Sequence, residues 1–540
     1  MSRRAACSFF AFLLFAAFLQ WRAGAFRAEF SGSDEAAHLV TSLMVHDYFA
    51  SGMMGSPVAF AENYYIRYPK VAFGIWPPLF HLSQAAWMLA FQPSRTSVLM
   101  WMALWAAVLA TSCYLAARSR FPAWAALCLG MVLVSLPAIQ LAASAVMADL
   151  MMSCFLFAAA VFFGRYLDRE KWSDALGFGI LSAGAMLVKY NGLAMALVPP
   201  LALLLTGRFR AMRRGTFWLP ALVVVVLCGP WYFYSQRLIR YAMEPVPGIT
   251  DIPGAMAANL GALISLTGVP LFVMAVAGMF VKLRRLPGGG AEAGIWPAAA
   301  SLIAALWIFH SILYPITEGR YLLAAAPALL LFAAAGCETA ARWLAPRLRL
   351  AEAPFLAVLL GAVAVYGGVT FRVQVKKHYG LSEVAADLLQ APGAPNNVVL
   401  VSGPAETEGM LISEMALRDR NQSGCVLRAS KVLARSTWMG ANYEVLYQTP
   451  EQIARFLREL PITTVVFDRS VHYNRPHHRL LEQALRAEAA LWAPVEPPSS
   501  ELVRVFRRTV PVAASSGASV SLDLSRTLGR SLRAPMHGRE

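Results

Sequence analysis

The chain has 540 residues, of which 58% are hydrophobic and only 14% charged, with a mean hydropathy of +0.52. This is too apolar for a soluble enzyme of that length and places the chain among polytopic membrane proteins. The excess of basic over acidic side chains, 47 against 31, falls in short clusters between apolar spans, as positive-inside topology requires, so nucleic acid is not an expected partner.

The amino terminus is Ser2-Arg3-Arg4 followed by an apolar run to Leu19. Ala23-Gly24-Ala25 resembles a small-residue cleavage site, but an uncleaved first span with Arg3 and Arg4 in the cytoplasm is the better reading. Next comes Ser33-Asp34-Glu35, an acidic pair between the first span and the next stretch able to cross. A carboxylate at the mouth of a multi-span bundle is costly to desolvate, and there it can act as a general base. The apolar segment 73–91 opens with Trp76-Pro77-Pro78. Consecutive prolines fix an extended entry and tryptophan favours the headgroup level, so this segment is expected to lie in the interface.

Further spans of the ~20 residues a bilayer needs are expected near 96–117, 121–141, 147–165, 216–235, 259–281, 293–311, 321–341 and 353–370. The apolar stretch 174–207 is broken by Lys189-Tyr190-Asn191-Gly192, and it reads as two short helices meeting at a polar turn. The basic clusters Arg118/Arg120, Arg165/Arg169/Lys171, Arg208–Arg214, Lys282–Arg285 and Arg342–Arg349 are each separated by two crossings if all are cytoplasmic. The scheme closes with about eleven transmembrane helices and sets residues 371–540 on the same, extracytoplasmic side as Asp34.

That last part changes character. Strands are expected at Asn397–Gly403, Cys425–Arg428 and Ile462–Phe467, and helices at Glu406–Leu417, Thr449–Leu460 and His478–Ala487, with Thr449 and Pro450 at a helix start. Alternating strands and helices argue for a small α/β domain over 371–510. Beyond 511 no periodic apolar face remains, so a disordered tail is expected over 511–540. Six of the seven cysteines sit in or beside apolar spans and Cys425 stands alone in the polar part, so no disulfide framework or CxxC metal site follows.

Taken in order, the Asp34-Glu35 pair, the Trp-Pro-Pro-Leu segment, Asp149 at a span boundary, Lys189-Tyr190-Asn191-Gly192 in a membrane turn and Glu318-Gly319-Arg320-Tyr321 before a late span resemble the GT-C membrane glycosyltransferases. Within that class the resemblance is to the family similar to dolichyl-phosphate-mannose protein mannosyltransferases and to the lipid A aminoarabinose transferase, over roughly residues 5–370. It implies a GT-C-like transmembrane domain over 1–370 in a bacterial plasma membrane. It also implies inverting transfer of a sugar from a polyprenyl-phosphate donor to a lipid, polysaccharide or protein acceptor on the extracytoplasmic face. Asp34 would take the acceptor proton and Glu35 would orient the acceptor or a cation. The leaving lipid phosphate needs positive charge and hydrogen-bond donors, for which Arg320, Lys189, Tyr321, Tyr190 and Asn191 are the candidates, with Asp149 at the site. The family's usual aromatic or arginine after the acidic pair is replaced by Ala36, Ala37 and His38, so the acceptor is not read from it.

Each of these residues also has a structural reading. Asp34 and Glu35 are ordinary helix-start residues, Asp149 an ion-pair partner, Lys189 a snorkelling cation, and Arg320 a partner of Glu318. His38, His81 and His310, with Glu35, are the residues from which a divalent-metal site could be built, but their spacing matches no compact ligand motif and no cofactor is assigned. Two other functions fit the class. A transporter would be expected to show an internal repeat relating two halves, and none is visible. A non-catalytic envelope assembly or binding protein needs one anchoring span, where this chain has many.

Overall fold

A computed structural model of the protein describes residues 3–72, 74–242, 251–284, 293–315, 317–348, 354–390, 398–419, 424–436, 442–470, 472–495, 500–510, 519–524 and 530–535. Among the described residues, six helices are long and apolar enough to cross a bilayer: Arg3–Arg22, Arg95–Arg118, Asp149–Arg169, Gly215–Gln236, Ile295–Leu313 and Ala325–Ala345. Two further candidates are bent pairs, Ala123–Ser135 with Pro137–Ala143 at 65° and Ile252–Thr267 with Val269–Arg284 at 105°.

The expected spans 121–141 and 259–281 are therefore not continuous helices, and the backbone says why. Leu136, held in an extended conformation (φ −58°, ψ 132°) before Pro137, ends the first helix, since proline disfavours a helical residue in front of it. Gly268 sits at φ +76°, which a side-chain-bearing residue rarely adopts, and breaks the second. The polar turn at 189 is as read: Trp172–Val188 stops at an extended Lys189, and Tyr190–Leu197 continues as 3-10 turns into Val198–Thr206. Segment 73–91 contributes only the helix Leu79–Phe91, whose 13 residues rise about 20 Å, well short of the ~30 Å hydrocarbon core.

Small residues let the bundle close up. Gly278 and Gly336 face one another where Val269–Arg284 crosses Ala325–Leu348, and neither has room for a Cβ against the other's backbone.

The carboxy-terminal residues form a five-stranded sheet. In chain order its strands are β1 Val398–Ser402, β2 Cys425–Arg428, β5 Ile462–Asp468, β6 Trp492–Val495 and β7 Val503–Arg508, with the short pair β3 Ala434–Arg435 and β4 Glu444–Val445 lying outside it. The order is β2-β1-β5-β7-β6; β2, β1 and β5 run parallel, while β7 is antiparallel to both β5 and β6. All five residues of β1 are buried, as a central strand covered on both faces requires. One covering helix, Ala405–Arg418, packs against Ser33–Ala50, which seats this sheet on the end of the bundle where Asp34 lies.

The expectation of a disordered tail is corrected at 519–524 and 530–535, while the rest of 511–540 lies outside the described residues. Ser519–Leu524 (β8) pairs antiparallel with Arg530–Pro535 (β9), Leu522 opposite Leu532. Val520, Leu522, Leu524 and Leu532 are buried while Ser519 and Ser521 face out. The apolar signal there has period two, so a search for a helical face does not find it.

Candidate active site

Three segments distant in sequence meet at the bundle end beneath the sheet. The helix Ser33–Ala50 starts at Gly32, whose N–H donates to Glu35 Oε2 at 3.2 Å. Asp34, in the same first turn, leaves its carboxylate 40% exposed and facing Arg320. Arg320 Nη2 donates to Asp34 Oδ2 at 2.9 Å, and its Nε lies 2.5 Å from Glu318 Oε2, so one guanidinium bridges two carboxylates. It is carried on the short 3-10 turn Gly319–Leu322.

Behind this pair lies a buried ionic layer. Lys189 Nζ donates to Asp149 Oδ1 at 2.7 Å and stands 4.4 Å from the centre of the Tyr321 ring. Arg320 Nη2 also approaches Tyr321 Oη at 3.2 Å. Asp149 is 1% exposed and its Oδ2 has no hydrogen-bond partner among the described residues. A buried carboxylate oxygen left unpaired is costly, which makes Asp149 a candidate for a further partner. His310 stacks on Tyr321 with centroids 5.3 Å apart, and Asn191 Nδ2 lies 3.4 Å from His310 Nε2.

Of the residues singled out in the sequence, Asp34, Arg320, Tyr321, Lys189, Asp149 and, through His310, Asn191 are thus brought together. Tyr190 and Glu35 are not part of that group. Tyr190 Oη donates to Ser235 on the helix Gly215–Ala242. Glu35 is buried with Oε1 accepting from the Val146 N–H at 3.0 Å and from Lys376 Nζ at 3.3 Å, which ties the strand-like segment after the last apolar helix to the start of Ser33–Ala50.

The candidate metal ligands also do not gather. His38 Nδ1 and His81 Nε2 are 3.1 Å apart, with His38 stacked 3.8 Å from Trp76, but neither Glu35 nor His310 joins them. Burial, aided by His81, Lys189 and Arg320, holds the His38 imidazole well below its ordinary pKa, so the pair packs as neutral rings. Among the described residues the one set of three with metal-ligand reach is Glu29, His378 and Glu383. Glu29 there accepts the N–H groups of Tyr379 and Ser382, so its carboxylate is already used to hold the start of the helix Leu381–Gln390.

Sequence reasoning missed Lys70. Its side chain is buried, Nζ donates to the Ala405 carbonyl at 3.2 Å, and Asp34 is among the carboxylates that act on it. Burial is the main cause that brings its pKa down to about 7, with Arg428 adding to the effect and Glu408, Asp34 and Glu406 opposing it. The expectation that singled out Arg320, a basic residue on the side that the charge pattern assigns to the exterior, extends to Lys70.

This architecture has counterparts among solved structures. The structure of ArnT from Cupriavidus metallidurans in the apo state superposes with a TM-score of 0.61 at 15% identity, covering 95% of this chain and 100% of that one. Here the fold is decided. This is the GT-C glycosyltransferase fold. ArnT bound to undecaprenyl phosphate matches with a TM-score of 0.59 at 14% identity over 94% of this chain and 99% of that one. The archaeal oligosaccharyltransferase AglB from Archaeoglobus fulgidus, in complex with an inhibitory peptide and a dolichol-phosphate, matches with 0.53 at 10% identity over 94% and 75%. The family model for dolichyl-phosphate-mannose-protein mannosyltransferase matches residues 76–234, a stretch that contains Asp149, Lys189 and the Trp-Pro-Pro segment. The chain thus resembles that family both in sequence and in fold. No curated protein matches it by sequence.

Proposed function

We propose that the chain is an integral membrane glycosyltransferase that moves a sugar from a polyprenyl-phosphate donor to a hydroxyl of an envelope acceptor. The observation that carries this reading is the convergence of Asp34, Arg320 and the Lys189–Asp149 pair at one bundle mouth from segments almost 300 residues apart, joined by the 2.9 Å Asp34–Arg320 bond. The acceptor oxygen attacks the anomeric carbon and its proton passes to Asp34. The anomeric C–O bond breaks with its electron pair going to the phosphate, and the configuration inverts. Arg320, released in part from Asp34 and Glu318, and Lys189 offer the positive charge that the departing phosphate needs. Tyr321 holds both cations in place through its ring and hydroxyl.

The reading includes an orientation. Counting each bent pair as one crossing, and adding the shorter apolar helices Trp172–Val188, Tyr190–Thr206 and Phe355–Val369, gives the about eleven crossings that the basic clusters require, with Leu79–Phe91 left out. Val269–Arg284 makes the crossing in the second bent pair, while Ile252–Thr267 lies across the site end, where Asn259 Nδ2 donates to the His310 carbonyl at 2.9 Å. Asp34 and the carboxy-terminal domain then face outward from a bacterial plasma membrane.

The test is a cell lacking the chain, complemented with wild type or Asp34→Asn. Mass analysis of the lipid extract should show a polyprenyl-phosphate sugar accumulating in the deletion and one envelope glycoconjugate losing a sugar. Asp34→Asn should reproduce that phenotype, with turnover down on the order of 10²–10⁴. Unchanged polyprenyl-phosphate sugars and glycans in the deletion would refute the reading.

A further inference from the structure

The carboxy-terminal domain has a polar cavity of its own, of about 360 Å³, opening beside the end of β5 and lined by residues from Phe467 to Ser470, from the helix Pro476–Ala487 and by Arg504 of β7. From these features we infer a second binding site, for a sugar that carries a phosphate or carboxylate group.

Topology puts the cavity where ligands collect in open α/β sheets. From β1 the chain passes through Ala405–Arg418 to β2 on one side, and β5 pairs on the other side of β1. The carboxyl ends of β1 and β5 therefore flank a crevice at which the strand order reverses. Ser402 ends one strand and Asp468 the other. Gly403, the first residue after β1, has no room for a Cβ against Asp468 and Thr407, so the turn can pass this close only as glycine.

The crevice is built and held before any ligand arrives. Asp468 is 1% exposed; Thr407 Oγ1 donates to its Oδ2, and the Ser470 N–H donates to Oδ1 at 2.7 Å. His478 is stacked 3.8 Å from Phe467 and lies 2.8 Å from the Ser402 hydroxyl through Nδ1. Around this fixed floor stand Arg469, Arg479 and Arg504, all exposed, and none makes a side-chain hydrogen bond or ion pair among the described residues. Three unengaged guanidinium groups at the rim favour an anion. The Asp468 carboxylate beneath the floor repels a bare anion, and the neutral polar side chains of Ser470, Tyr473 and Asn474 in the lining suit hydroxyl groups. A ligand that satisfies both presents its charge to the arginines and hydroxyls inward, which is the chemistry of an acidic or phosphorylated sugar.

This site is separate from the Asp34 cluster and does not rest on the transferase reading. The helix Ala405–Arg418 stands between them: Thr407 faces Asp468, whereas Gly409, about half a turn round, abuts Ala36 of the helix that carries Asp34.

The test uses the full chain in lipid nanodiscs, titrated by calorimetry with glucose 1-phosphate and glucuronic acid, and with glucose and inorganic phosphate for comparison. Either charged sugar should bind more tightly than both comparison probes, and which of the two binds decides between a phosphate and a carboxylate as the recognised group. The double variant Arg469→Ala/Arg504→Ala should weaken that binding roughly tenfold or more. Both arginines are exposed, and an unchanged melting curve would show that the variant is folded. No binding of either charged sugar to the wild type, inorganic phosphate binding as well as the sugar phosphate, or unchanged affinity in the folded double variant would each overturn the proposal.

Discussion

Replacing Lys189 by methionine separates a structural ion pair from a group that waits for the donor. The side chain of Lys189 is 9% exposed and that of Asp149 1%, and their 2.7 Å contact is the hydrogen bond that Asp149 Oδ1 makes. Since Oδ2 is already unpaired, the substitution leaves a buried carboxylate with no hydrogen-bond partner among the described residues. Breaking one side of a buried pair costs about 3–5 kcal/mol. Arg320 acts on the same carboxylate and offsets part of the loss, so the lower end, about 3 kcal/mol, is expected. Adding Asp149→Asn should restore most of it, because the amide carries no charge to strand. Thermal unfolding of wild type, the two single variants and the double variant in one detergent gives the coupling directly. A loss below about 1 kcal/mol in Lys189→Met, or losses that simply add in the double variant, would refute the claim that the pair is buried and coupled. The donor role is read separately. On the proposed function the stabilised double variant should remain poor in transfer, since the Lys189 cation is still missing.

Three other outcomes follow from the geometry. Arg320→Lys should weaken donor use and Arg320→Ala should weaken it further, because lysine cannot bridge Asp34 and Glu318 as the planar fork does; Glu318→Gln should cost much less, and equal loss in all three at saturating and limiting donor would remove Arg320 from the site. Lys70, whose pKa falls from an ordinary ~10.4 to about 7 on folding, binds fewer protons folded than unfolded between those values. Stability should therefore be lowest below pH 7 and rise with pH above it by up to about 1.4 kcal/mol per unit, and Lys70→Met should flatten that slope in pH-dependent melting. For orientation, Cys425 is a poor reporter: burial pushes its thiol up to about 12 and its Sγ rests on the Ile66 carbonyl, so an impermeant maleimide should leave it unlabelled. Met54→Cys, at a position 77% exposed beyond the end of the Asp34 helix, should label in intact spheroplasts; labelling only after permeabilisation would invert the topology.

Much of the site was legible because its chemistry breaks the rules of its surroundings. Ionisable residues are costly within or beside apolar spans, so Asp149 and Lys189 stand out from the sequence, and Arg320 stands out by lying on the side that the basic clusters assign to the exterior. The three strands and three helices read between 398 and 487 were legible because each begins or ends on a turn residue, whereas the one-turn helix Ala429–Val432 and the two-residue strands β3 and β4 were not; Thr449 shows the first case, its hydroxyl accepting the Gln452 N–H at the position read from the sequence. The partner of each carboxylate was not legible. Asp34 and Glu35 are adjacent on one turn, yet one faces Arg320 and the other Val146 and Lys376, a choice fixed by the direction in which the chain enters the helix from Gly32. The bends at Leu136 and Gly268 were also missed, because hydropathy averaged over twenty residues is blind to a single backbone torsion.

The Asp34–Arg320 bond sets a constraint on how such a site works. While Arg320 Nη2 donates to Asp34 Oδ2, that oxygen is occupied and is not open to an acceptor hydroxyl. Arrival of a lipid phosphate competes for the same fork, because phosphate oxygens accept from a guanidinium at least as well as a carboxylate does. On the proposed function, donor binding draws Arg320 toward the leaving group and leaves Asp34 Oδ2 open to the acceptor hydroxyl. Glu318, with its carboxylate 2.5 Å from Nε, keeps Arg320 from swinging away altogether. On this account the acidic pair members differ in kind. Asp34 must be exchangeable and is half-exposed, while Glu35 must not be and is buried, so Glu35→Gln should cost stability before it costs turnover.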